Sequence, residues 1–138
     1  MNVDEVAADL AAEQQALDEV VASLGEEAWG RATPSPRWTV ADQVAHLTYF
    51  DEAAAPDIVD PDRFRSMVDD LVGAAGGGDE SVDDYTLGRY RKLGPVGQLE
   101  AWRASRERLA DAASTLTDDT RVIWYGPSMS CLLYTSPR

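Results

Sequence analysis

The chain has 138 residues, with 25 Asp and Glu against 12 Lys and Arg, a formal net charge of −13, one His and one Cys. That length suits a single domain, able to bury roughly 68–70% of its unfolded-chain surface without staples. One Cys closes no internal disulfide, a structural zinc site needs four N or S ligands, and the acidity opposes binding to a phosphate backbone, which excludes nucleic acid as the primary partner.

No run approaches the ~18–20 apolar residues of a membrane span, and Met1-Asn2-Val3-Asp4-Glu5 is acidic where a secretory leader is basic. A cytoplasmic protein with no membrane partner is the expectation. Hydrophobic residues at 44% and charged residues at 27% suit a globular domain rather than a disordered chain.

The apolar residues Val3, Val6, Leu10, Leu17, Val20, Val21 and Leu24 recur at helical spacing and predict a first helix with that face buried. Asn2 with Glu5 reads as its capping box and Gly25 as its C′ glycine. Glu13 interrupts the stripe, either where its edge meets solvent or as a carboxylate turned into a bundle interior.

Residues 26–38, with Trp29, Pro34, Pro36 and Trp38, read as an ordered loop packed on the core. Thr39 with Asp42 then makes a second capping box. Val40, Val44 and Leu47 form one face of the helix that follows, Gln43, His46 and Phe50 a neighbouring one, and Pro56 marks its expected end. Asp60-Pro61 caps a third amphipathic helix to about Ala75, where Gly76-Gly77-Gly78 breaks it. Ser81 and Asp84 are the expected caps of a shorter helix to about Leu93. Gly94-Pro95 opens a last long helix, with Val96, Leu99, Trp102, Leu109 and Leu116 expected on its buried face. Arg121–Tyr125 reads as an extended segment lying on helices, with no strand of comparable quality to pair with. Helices joined by short Pro/Gly-marked links predict an all-α antiparallel bundle.

No nucleophile elbow, Walker A loop or dinucleotide fingerprint is present, and the acidic runs Asp69-Asp70, Asp79-Glu80, Asp83-Asp84 and Asp118-Asp119 read as solvated or helix-end charge. The residue with a candidate chemical role is His46, the sole imidazole, beside an apolar stripe; a histidine so placed is by itself more often structural than a metal ligand. Asp42, one turn earlier, is placed to orient its ring.

The segment Trp38-Thr39-Val40-Ala41-Asp42-Gln43-Val44-Ala45-His46-Leu47 resembles the signature of the DinB-like metal-binding superfamily. It is most similar to the branch related to mycothiol-dependent maleylpyruvate isomerase, in which a W-[ST]-V-x-D-x-x-A-H-L segment leads the second helix. The likeness runs from about Leu10 to Met129 and takes in Trp124-Tyr125-Gly126-Pro127. It implies an up-and-down four-helix bundle in which His46 is the first ligand of a divalent metal, commonly zinc or nickel. An E-x-x-x-H pair on the final core helix would supply the other two ligands. The implied chemistry is a metal that activates a thiol or a substrate carbonyl, with mycothiol as a co-substrate in the isomerase and a small molecule as partner. A homodimer is compatible with this reading.

After Ser130 the chain departs from that pattern. Residues 131–138 (Cys131-Leu132-Leu133-Tyr134-Thr135-Ser136-Pro137-Arg138) look like translated sequencing-adapter read-through, against the alternative of a divergent tail. The expected organisation is therefore an incomplete metal-binding helical domain over 1–130 and a non-native tail over 131–138. Such a fragment, lacking its last core helix and two of three ligands, is expected to be inactive and to expose apolar helix faces. The competing reading is a non-catalytic binding or stress module in which His46 is structural.

Overall fold

A computed structural model describes residues 2–125 and the backbone of residues 129–130; the expectation of a non-native tail falls on residues outside these. The described residues form α1 (Val3–Ala22), α2 (Glu26–Trp29), α3 (Val40–Val59), α4 (Pro61–Ala75), α5 (Asp79–Arg91) and α6 (Pro95–Ala113), with short strands β1 (Arg121–Val122) and β2 (Met129–Ser130). The chain is helical throughout its body, as a DinB-like bundle requires. The exception is the antiparallel β1–β2 pair, which gives the 121–125 segment a strand partner that its sequence did not reveal.

Capping chemistry sets the helix starts. Asn2 Oδ1 accepts from Glu5 N at 2.9 Å while Asn2 N donates to Glu5 Oε2 at 3.2 Å, and Thr39 and Asp42 make the same reciprocal pair at α3. Asp60 caps α4 ahead of Pro61. α5 begins at Asp79, before Ser81, because Gly78 turns the chain at φ 88°, a left-handed geometry that favours glycine. Gly25 has an extended φ of −74° and leads into α2, so it is not a left-handed C′ residue, and α1 ends instead on Ser23.

α3 runs past Pro56 to Val59. A proline inside a helix costs about 3 kcal/mol and removes one hydrogen bond. Burial of Ala53, Pro56 and Asp57, with α4 packed alongside, offsets that cost here.

α3 is the central helix, packed most extensively on α6 and also against α4 and α5. One buried cluster joins Val21, Trp29, Val44 and Trp102; a second joins Ala45, Tyr49, Leu87 and Tyr90. Trp102, 1% exposed, fills the first. α1 departs from the expected pattern, since only part of its apolar stripe is covered: Val3 and Val21 are buried, but Leu10, Leu17 and Val20 are exposed. Val96 is exposed as well, at the first turn of α6 ahead of the packed region. No helix among the described residues is long and apolar enough to cross a membrane.

Candidate functional site

Position 46 is fixed from the N-terminus of α3. Thr33 ties the preceding loop to Trp38 by its backbone N–H at 3.0 Å and its hydroxyl at 2.9 Å, both donated to the Trp38 carbonyl. Gln43 Nε2 donates to Thr33 Oγ1 and Ser35 Oγ, and an isolated bridge pairs Ala32 with Thr39. Arg37 takes a positive φ of 69° and is held there by its ion pair to buried Asp83 at 3.1 Å. These bonds press the Trp38 indole onto the face of α3 that carries His46.

The His46 imidazole sits between two rings, 5.0 Å from Trp38 and 4.7 Å from Phe50 between centroids. The aromatic wall continues through Tyr49, Tyr125, Trp124 and Phe64, with Phe64 stacked on Trp124 at 5.6 Å. Asp57 pins the far end of this wall. Its carboxylate accepts from the backbone N–H of Ile123 at 3.2 Å and of Trp124 at 3.3 Å, laying the 121–125 segment against α3 and α4. Burial pushes the Asp57 carboxyl up from the usual range, and the two N–H donors pull it part of the way back.

Desolvation among these rings lowers the pKa of His46 below its ordinary value, so the imidazole is neutral at pH 7 and a ring nitrogen keeps its lone pair. No described residue gives either ring nitrogen a hydrogen bond. Asp42 does not orient this ring: its Oδ2 accepts from Thr39 N at 3.0 Å and its Oδ1 from Arg91 Nε at 3.0 Å, which commits the carboxylate to the cap and to α5. Glu13 is exposed on α1 and leaves the list of pocket carboxylates, because the stripe it interrupts is at its edge in solvent there.

His46 thus has the chemistry of one neutral nitrogen donor. The described residues do not complete a donor set around it, since no group of three or more His, Cys, Asp or Glu among them could hold a metal ion.

Several buried carboxylates were not singled out by sequence reasoning. Asp18 binds Arg103 through two bonds of 2.7 and 2.8 Å and Arg106 at 3.0 Å. The hydrogen bond from Arg103 leads in holding its pKa below the ordinary value. Asp51 is raised to about 6, chiefly by burial, and its Oδ2 has no hydrogen-bond partner. Glu52 gathers Tyr90, Arg89 and Arg108. The available signal was their phase: Asp51 stands seven residues after Val44 on the same helical face, where an acid is unexpected.

Comparison with known proteins bears on this architecture. The family model described as the mycothiol maleylpyruvate isomerase N-terminal domain matches residues 10–135. Two uncharacterized proteins of Mycobacterium tuberculosis, from strains CDC 1551 and H37Rv, are each 33% identical over 131 residues, which is 95% of this chain and 49% of the relative. The chain spans about half the length of these curated relatives. No solved structure matches it. With a helical body, a capped central helix and a family match across nearly all of its length, the chain belongs to the mycothiol maleylpyruvate isomerase N-terminal domain family.

Proposed function

We propose that the chain is a divalent-metal-binding helical domain of a thiol-dependent isomerase or transferase. His46 donates one imidazole, and the remaining donors come from outside the described residues. The observation that carries this reading is the state of the ring: half-buried, neutral and without a hydrogen-bond partner among the described residues. A bound zinc or nickel ion would supply Lewis acidity, lowering the pKa of a thiol such as that of mycothiol or polarising a substrate carbonyl. The chain's own contribution is to hold the imidazole deprotonated, fix its direction from the Thr39 cap, and keep water from one side of it with Trp38 and Phe50. With one donor among the described residues, this reading expects no turnover from the chain alone.

The test compares this chain with a longer polypeptide that carries the additional length seen in its relatives. After dialysis against zinc or nickel and removal of excess, elemental analysis should find about one metal per longer chain, little in the short one, and a loss of most metal on His46→Ala. Equal metal content in wild type and variant defeats the reading.

The ring contacts of His46 favour a second reading, in which it is a packing residue of a non-catalytic module. In that case His46→Phe preserves both stability and metal content in the longer polypeptide.

A further inference from the structure

A cleft of about 720 Å³ opens where the C-terminal half of α3 meets α4, α5 and α6, and His46 does not line it. In a chain of net charge −13 it concentrates three of the 12 basic residues, Arg63, Arg89 and Arg108, with Glu52, Asp60 and Asp111. Its apolar lining comes from Ala55, Pro56, Val59 and Ala112.

Glu52 organises the basic side. Its side chain is 16% exposed, and its oxygens are occupied: Oε2 accepts from Tyr90 Oη at 2.7 Å and Arg89 Nη1 at 3.5 Å, Oε1 from Arg108 Nη2 at 2.8 Å. One partly buried carboxylate thereby draws guanidiniums from two different helices to the same side of the cleft. Each spends one N–H of five on it, and the two side chains remain 74% and 57% exposed. Arg63 has no side-chain hydrogen bond or ion pair among the described residues. A set of free N–H donors gathered about one carboxylate suits an incoming oxyanion, because the Glu52 bonds meet part of the ordering cost before it arrives.

The acids narrow the ligand. Asp60 uses one oxygen on the Arg63 backbone N–H, and Asp111 has no side-chain partner among the described residues. Together they oppose a multiply charged anion and accommodate a cationic group. The geometry points to a binding site for a small zwitterion with a short apolar chain, an α-amino acid in chemical class: carboxylate on Arg89, Arg108 and Arg63, ammonium toward Asp60 or Asp111, and alkyl group on the Pro56–Val59 surface. This site stands independently of any metal at His46.

The test is a two-dimensional amide NMR titration of this chain with four probes: L-leucine, 4-methylpentanoate, 3-methylbutylamine and inorganic phosphate. L-Leucine should bind tightest and move amides around Glu52, Arg63, Arg89 and Arg108, with the carboxylate-only probe weaker. Arg63→Ala leaves the Glu52 frame intact and should weaken L-leucine about tenfold. Arg89→Lys with Arg108→Lys, which keeps charge but loses the guanidinium fork, should weaken it further while the far-ultraviolet circular dichroism stays unchanged. Phosphate or the amine binding tighter than L-leucine overturns the ligand class. No shifts with any probe, or shifts indifferent to Arg63→Ala, overturn the site.

Discussion

α3 and α1 both pack on α6, and they do so by different physics. α3 meets it through a tightly filled interior in which Val44 and Trp102 share one buried cluster and Ser105 is fully buried. α1 adds Val21 to that interior, but much of its attachment is a polar clasp. Asp18 holds Arg103 and Arg106, Arg106 also reaches the Gln14 carbonyl at 3.0 Å, and Asp118 accepts from Val3 N at 2.8 Å. Apolar burial responds weakly to salt and pH, whereas a paired carboxylate responds to pH and its half-exposed Arg103 partner to salt. The helix that carries His46 is therefore anchored by the robust interface, and the helix with uncovered leucines by the conditional one.

The sharpest way to break the comparison is Trp102→Ala. Emptying the site of the largest fully buried side chain should cost about 3–5 kcal/mol in urea denaturation and loosen α1, α3 and α6 together. A loss confined to α1 would show that α3 does not depend on this cluster.

Asp51 provides the next test. It is an acid raised to about 6 from 3.8, so the folded state holds its proton more tightly than the unfolded state. Stability on its account is greatest below pH 4, falls as pH rises through about 6, and stays reduced above that. Asp51→Asn should flatten this slope and add about 1–2 kcal/mol at pH 7.5, allowing for water reaching the partly open site. An unchanged slope means the carboxylate finds a partner.

Asp18 has the opposite sign. Its pKa is lowered, so its contribution is present above the ordinary carboxylate range and lost as pH falls through its folded value. Asp18→Asn should reduce amide protection in α1 by on the order of tenfold, with α3 amides unaffected, and high salt should reproduce part of the effect in wild type. Smallest of all, Leu17→Ala on the uncovered stripe should change stability by no more than about 0.5 kcal/mol. A loss of 2 kcal/mol there would mean that the stripe is covered in solution.

The legible parts of this fold were those written locally. Both capping boxes, the Asp60-Pro61 start and the Gly94-Pro95 start depend on residues within four positions of each other, and each occurs where the sequence places it. What escaped depends on partners distant in sequence. Whether Leu17 is buried is decided by which neighbour covers that side of α1, and its own spacing carries no such information. Pro56 reads as a stop because nothing nearby announces that α4 packs alongside its turn. At the candidate site, His46 and its motif were legible, while the commitment of Asp42 to Arg91 was not, since Arg91 lies 49 residues away.

The contact between Trp38 and His46 has an optical consequence. An excited indole passes an electron readily to a protonated or metal-bound imidazole, and at 5.0 Å between ring centroids this transfer competes with emission. Trp38 fluorescence is therefore a built-in gauge of what occupies the imidazole. Trp38→Phe isolates its signal from those of Trp29, Trp102 and Trp124, so protonation at position 46 can be followed by intrinsic emission with no label attached.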